Sequence, residues 1–188
     1  MSRTALLPFA LLTLWAVWIF ALQAALGRSA ELGPWMPDVG LVLALALASR
    51  LPTSDLPWVG LCVGVARAAL SVDPPAAVIA AYLGVVGVAR AFRTVVEIKS
   101  PPASALLAFV LRLAVASWLG FVHTREAAAA LGPSAALEVP IAPVVFAAWR
   151  GALATALTAA LFSAALAHLP GLSPLHRRRV WRVGASFR

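Results

Sequence analysis

The sequence has little charge and almost no cysteine. Charged residues make up 12% of its 188 residues, whereas soluble domains usually contain about a quarter. Cys62 is the single cysteine, so the chain forms no internal disulfide and has no thiol cluster for a metal. It also lacks a glycine-rich phosphate loop and any plausible Ser-His-Asp set. These absences predict a protein that is not an enzyme and needs neither a metal nor a cofactor.

Apolar residues are abundant instead. They make up 62% of the chain, and the mean hydropathy is +0.93. A soluble core of this length cannot bury so much apolar surface, so we expect lipid to be the solvent. The net charge of +8 admits a nucleic-acid partner in principle. However, most of this charge comes from arginines that separate apolar segments, which is typical of the cytoplasmic loops of membrane proteins.

The apolar runs predict an all-α integral membrane protein with a single domain over residues 1–188. About 20 apolar residues cross the hydrocarbon core as a helix. We therefore predict a bundle of about six transmembrane helices, with five as the alternative because several runs are of marginal length. The predicted helices cover residues 4–26, 36–50, 56–72, 76–91, 103–122 and 143–169, and a basic cytoplasmic tail covers 170–188.

The basic residues between the runs predict the orientation of the bundle. On the side of the two termini lie Arg3, Arg50, Arg90, Arg93, Lys99, Arg177, Arg178, Arg179, Arg182 and Arg188. The opposite side carries Arg28 and Arg125 alone. Because basic loops stay on the cytoplasmic side, we expect both termini in the cytoplasm of a bacterial cell, with the bundle in its inner membrane.

The basic tail has two interpretations. The tail combines Arg177, Arg178, Arg179 and Arg182 with aromatic and apolar residues, which would suit binding to anionic lipids. Alternatively, these arginines act as a topological stop signal.

Charged residues inside or beside the predicted helices are the candidates for function. Arg67, Arg112 and Arg150 lie within spans, and Asp38 and Asp73 lie near span ends. A central arginine costs about 2.5–3.5 kcal/mol to insert, so such residues usually line a cavity or contact a partner. Alternatively, each arginine extends to the membrane surface or pairs with an aspartate.

Small residues mark a second kind of candidate. Gly60 and Gly64 form a Gly-xxx-Gly step, which allows two helix backbones to approach closely. This step predicts helix packing, either within the bundle or with a partner.

One segment resembles a known family. Residues 37–43, Pro-Asp-Val-Gly-Leu-Val-Leu, resemble the start of the second helix of the rod shape-determining protein MreD family. The resemblance extends over about residues 1–170 and includes Arg50-Leu51-Pro52, the Gly60 and Gly64 step, Tyr82-Leu83 and Ala89-Arg90-Ala91-Phe92-Arg93. Arg67 departs from the family, which often carries a carboxylate about one turn after the second glycine.

The resemblance implies a non-enzymatic membrane scaffold of the cell-wall elongation machinery that helps to determine rod shape. Its expected partners are an MreC-like single-span membrane protein and, indirectly, the cell-wall synthases and an actin-like filament protein. The family's fold is similar to that of the substrate-binding subunits of energy-coupling-factor transporters. An alternative function is therefore that of a vitamin-binding membrane subunit of such a transporter.

Overall fold

The computed structural model contains helices and no strands in the part of the chain that it describes. The described residues are 3–28, 33–93, 100–131 and 141–172. The α-helices are α1 (Arg3–Leu26), α2 (Val39–Ala48), α3 (Leu56–Ala68), α4 (Pro75–Phe92), α5 (Pro101–Leu131) and α6 (Ile141–Ala167). A short 3-10 helix, Gly33–Trp35, lies between α1 and α2. The predicted all-helical class and the presence of six α-helices are thus confirmed for the described residues.

Four of these helices are long and apolar enough to cross a membrane. The apolar segments are Leu7–Leu26, Pro75–Phe92, Pro101–Glu126 and Phe146–Ala167. By contrast, α2 has 10 residues and α3 has 13. At 1.5 Å per residue they measure about 15 and 20 Å, which is less than the roughly 30 Å of a hydrocarbon core. The chain therefore has the helices of a multi-pass membrane protein, with two shorter apolar helices among them.

The shortest helix, α2, lies at the centre of the bundle. It packs against each of the other five α-helices, and all of its residues from Gly40 to Ala48 are buried. Its sequence is apolar on every side, which is the pattern of a helix surrounded by protein. Because its neighbours cover it, α2 does not need the length of a lipid-exposed helix.

Several helix boundaries differ from the predicted ones. The second helix begins at Val39 instead of residue 36, because Asp38 caps its N-terminus. The third helix ends at Ala68, four residues earlier than predicted, and the chain then turns into α4. The fifth helix continues to Leu131, beyond the predicted end at 122. The added segment is rich in alanine, a strong helix former, and contains no glycine or proline before Leu131.

The two glycines of α3 bring it into close contact with α4. A Cβ atom added at Gly60 would lie 3.2 Å from the Cα of Leu83, and one at Gly64 would lie 3.0 Å from the Cα of Ile79. The later residue of α3 faces the earlier residue of α4, so the two helices form an antiparallel hairpin. This step is therefore used inside the bundle.

The C-terminal end of α2 is held by an arginine from the end of α4. Nη1 of Arg93 donates to the carbonyl oxygens of Ala48 and Leu51, at 2.7 and 2.6 Å. Helix C-termini leave carbonyl groups without helical partners, and a guanidinium satisfies them well.

Candidate functional site

One cavity brings together four of the five charged residues predicted to be functional. Asp38, Arg67, Asp73 and Arg112 all line a space of about 490 Å³. The cavity lies at the end of the bundle where α1 and α3 finish and where α2 and α4 begin. The chain therefore places these residues in one polar site, although they come from two helices and two connecting segments.

Asp38 forms the polar floor of this cavity and is only 6% exposed. Its Oδ1 accepts a hydrogen bond from the backbone N–H of Leu41 at 3.0 Å, which caps α2. The Tyr82 hydroxyl donates towards both carboxylate oxygens, at 2.9 and 3.0 Å. The backbone N–H of Asp38 donates to Oγ1 of Thr155 at 2.9 Å. One aspartate thus joins α2 to α4 and α6.

Arg112 reaches the same carboxylate from α5. Its Nε lies 4.0 Å from Oδ2 of Asp38, so the pair is electrostatic with no short hydrogen bond at that atom. This Nε is shielded from solvent and has no hydrogen-bond partner. A buried donor without a partner costs about 1–3 kcal/mol, so this atom is an unsatisfied donor in the described part of the chain.

Arg67 enters the cavity from α3 and lies over an aromatic ring. Its Cζ is 5.2 Å from the centre of the Phe20 ring, a cation–π distance. The Phe20 ring in turn meets Tyr82 edge to face, at 6.1 Å between ring centres. Among the described residues, the ion pairs join Arg112 to Asp38 and His123 to Asp73, and neither includes Arg67.

Gln23 lines the cavity from the last turn of α1 and is 9% exposed. Its Nε2 donates to the carbonyl oxygen of Pro37, which ties α1 to the start of α2. Its Oε1 is buried and has no hydrogen-bond partner. No sequence pattern identifies this residue, because an isolated glutamine in an apolar helix has many structural uses.

Asp73 lies at the rim of the cavity, in the turn between α3 and α4. Its carboxylate is bonded by the Ser71 hydroxyl and by Nε2 of His123. His123 comes from α5, 50 positions further along the chain, and sequence reasoning gave it no role. This contact is a product of helix packing, so nothing in the local sequence predicts it.

The charges of the described residues that line the cavity do not cancel. Arg28, Arg67 and Arg112 contribute three positive charges, and Asp38 and Asp73 contribute two negative ones, which leaves an excess of one positive charge. Both aspartates are already hydrogen-bonded within the protein. The uncompensated charge is therefore on the arginine side.

No protein-family model, curated protein or solved structure matches the chain. The resemblance of residues 37–43 to the MreD family therefore depends on the sequence pattern and stays a prediction. The geometry gives that pattern a structural meaning, because Asp38 caps the central helix and joins it to two others.

Arg150, the fifth charged candidate, lies outside this cavity. Its Cζ is 5.8 Å from the centre of the Trp35 ring and 5.6 Å from that of Trp149. The residue is exposed, and the two rings are themselves in edge contact. This arrangement fits the interpretation in which the arginine reaches the membrane surface beside aromatic anchors.

A second concave surface lies between α4 and α5 and is apolar. This groove has a volume of about 350 Å³, and its lining includes Ala80, Gly84, Val88, Leu111, Ala114 and Trp118. A Cβ atom added at Gly84 or at Gly87 would meet no atom within 4 Å. These two glycines are thus open, whereas Gly60 and Gly64 are covered by α4.

The candidate lipid-binding arginines of the tail, Arg177, Arg178, Arg179 and Arg182, lie outside the described residues.

Proposed function

We propose that this chain is a non-enzymatic membrane scaffold that binds the transmembrane helix of a partner protein in the groove between α4 and α5. The observation that carries the proposal is the open backbone at Gly84, which lines the groove, on a helix long enough to cross the membrane. Helices in lipid associate by close packing, and small residues allow a second backbone to approach. A single transmembrane helix is the partner that such a groove fits.

The groove is well suited to docking because other contacts within the bundle fix the positions of α4 and α5. On the opposite side, α4 is fixed to α3 by the contacts at Gly60 and Gly64. On the α5 wall, Nε1 of Trp118 donates to the carbonyl oxygen of Ala77 at 3.0 Å, which joins the two helices. A partner helix would therefore bind with little loss of conformational freedom in the scaffold.

The resemblance to the MreD family suggests which partner this is. We propose an MreC-like single-span protein, through which the scaffold links cell-wall synthases to an actin-like filament and helps to set rod shape. The distribution of basic residues supports a bacterial inner membrane location, with six spans and both termini in the cytoplasm. In this arrangement the tail arginines would contact anionic lipids.

The test is purification of the tagged chain in a mild detergent, followed by mass spectrometry of the proteins and small molecules that accompany it. Ala80→Leu adds a large side chain inside the groove, and we expect it to reduce recovery of the single-span partner several-fold. Ala164→Leu adds the same side chain at an exposed position of α6 and is the matched control. Equal recovery of the partner from both variants would exclude the groove as the docking site.

One observation favours a second function, that of a vitamin-binding subunit of an energy-coupling-factor transporter. The polar cavity of about 490 Å³ falls within the size range of small-molecule sites. The same purification separates the two functions. A stoichiometric small ligand together with ATPase subunits would support transport, whereas an MreC-like protein with wall-synthesis enzymes would support the scaffold.

A further inference from the structure

The polar cavity contains groups that the fold itself does not use. The Arg67 guanidinium has no ion-pair partner among the described residues, and Nε of Arg112 has no hydrogen-bond partner. Oε1 of Gln23 is buried and also lacks a partner. In the described part of the chain, two donor groups and one acceptor at the same end of the bundle therefore remain unsatisfied.

We propose that this cavity binds a ligand through its phosphate group, next to which the ligand carries a hydroxyl or amine. Arg67 and Arg112 would pair with the phosphate, since a guanidinium matches this group in charge and geometry. Oε1 of Gln23 would accept a hydrogen bond from the neighbouring hydroxyl or amine. This site is separate from the groove between α4 and α5, so the inference does not depend on the scaffold function.

The two aspartates of the cavity do not take the place of such an anion. The Asp38 carboxylate is already occupied by the Tyr82 hydroxyl and the N–H of Leu41, and Asp73 is bonded by Ser71 and His123. Neither carboxylate lies within 4.0 Å of a nitrogen of Arg67. Arg67, which lies over an aromatic ring and has no counter-ion among the described residues, is therefore the anchor of the proposed site.

The position of the cavity allows two sources for the anionic group. Its mouth is bordered by Val72, which is 98% exposed, and by Leu70, which is 45% exposed. Apolar residues next to Arg28, at the end of a membrane bundle, are compatible with the headgroup of a lipid in the adjacent leaflet. A free solute that carries the same group would reach the cavity from the water.

The test uses the full-length chain with one probe for each source. In the first arm, sn-glycerol 3-phosphate is titrated into the protein in a phosphate-free, lipid-depleted detergent solution, and binding is measured by calorimetry. In the second arm, native mass spectrometry counts the lipids retained by the protein from phosphatidylcholine nanodiscs prepared with and without phosphatidylglycerol. Binding in the first arm supports a free solute, and selective retention of phosphatidylglycerol alone supports a lipid headgroup.

The variants connect either signal to the cavity. Arg67→Gln is expected to weaken binding of the effective probe by roughly 10- to 100-fold, the effect of losing a charge-assisted hydrogen bond. Arg150→Gln, which removes an arginine stacked on aromatic rings outside the cavity, should bind like the wild type. Arg67→Lys keeps the charge and is expected to lose less affinity than Arg67→Gln. It also replaces Arg67→Gln in the comparison if that variant does not fold.

The proposal is overturned if the wild-type chain binds neither probe. It is also overturned if Arg67→Gln, or Arg67→Lys in its place, binds as tightly as Arg150→Gln. If no MreC-like partner is recovered in the purification described above, the outcome of the probe-binding experiment is unaffected. The purification tests the groove, whereas the probes test the cavity.

Discussion

The hydroxyl of Tyr82 lies 2.9 and 3.0 Å from the two carboxylate oxygens of Asp38, so one tyrosine contacts the whole carboxylate at the N-terminus of the central helix α2. Both residues are buried, with 1% and 6% of their surfaces exposed. The same carboxylate caps α2 and faces Arg112. Asp38 at the start of α2 thus connects the helices and also forms the floor of the polar cavity.

Removing the Tyr82 hydroxyl and removing the Asp38 carboxylate are expected to have unequal effects on stability. Tyr82→Phe deletes one hydroxyl, and we expect a loss of about 1–2 kcal/mol in the free energy of unfolding. Asp38→Ala deletes the helix cap and leaves Tyr82 and Arg112 without their partner, so we expect a loss of about 3–5 kcal/mol. Tryptophan fluorescence during thermal unfolding in mild detergent measures both. A larger destabilisation by Tyr82→Phe would contradict this account.

The second prediction concerns Gly40, a glycine two residues after Asp38. A Cβ atom at Gly40 would lie 2.0 Å from Cζ of Phe20, a ring that is 1% exposed and lies under the guanidinium of Arg67. Gly40→Ala must therefore displace that ring, which we expect to cost about 1–3 kcal/mol.

Gly87→Ala is the control for Gly40→Ala, because its added methyl group meets no atom within 4 Å. Replacing this helical glycine with alanine is expected to be neutral or to stabilise by up to about 1 kcal/mol. Equal unfolding temperatures for the two variants would show that Phe20 moves aside without cost. The displaced ring should also reduce binding of the anionic probe, since it supports Arg67.

The sequence was sufficient to predict the helices but not their partners. Runs of apolar residues separated by Pro37, Pro52, Pro74-Pro75 and Pro101-Pro102 marked the starts and ends of helices, because proline interrupts helical hydrogen bonding. The charged candidate residues are also recognisable in the sequence, since a charge within an apolar run is costly to insert into a membrane. That Asp38, Arg67, Asp73 and Arg112 share one cavity depends on how the helices pack, which no local pattern encodes.

Helix packing also decides features that the sequence pattern does not predict. The run at residues 36–50 is barely long enough to cross the membrane, and the structure shows a shorter helix, α2, enclosed by the other five. The glycine step at Gly60 and Gly64 was visible, but it serves the hairpin. The open glycines are Gly84 and Gly87, and of these Gly84 lines the groove between α4 and α5.

A third prediction concerns the end of the bundle opposite the cavity. Arg93 satisfies two carbonyl groups where α2 ends, and Arg93→Gln should therefore lower the free energy of unfolding by about 1–3 kcal/mol. Arg90→Gln removes the same charge one turn earlier on an exposed side of α4 and is expected to have little effect. Thermal unfolding of the two variants tests this difference. Equal destabilisation would indicate that charge, and not capping, is important at this end.

The last prediction concerns the side of the membrane on which the cavity opens. Val72 borders the cavity and is almost fully exposed, and Thr53 is exposed in the connection between α2 and α3. Cytoplasmic termini place Val72 outside and Thr53 inside. In a Cys62→Ala background, Val72→Cys should react with a membrane-impermeant maleimide in intact spheroplasts, whereas Thr53→Cys should react only after lysis.

The opposite labelling pattern would reverse the bundle and place the cavity on the cytoplasmic side. The anionic group would then come from the inner leaflet or the cytoplasm. The distribution of basic residues would in that case have predicted the wrong orientation. The expected pattern instead opens the cavity to the outer leaflet. There the partly apolar mouth beside Val72 would meet lipid headgroups while Arg67 remains accessible to their phosphates.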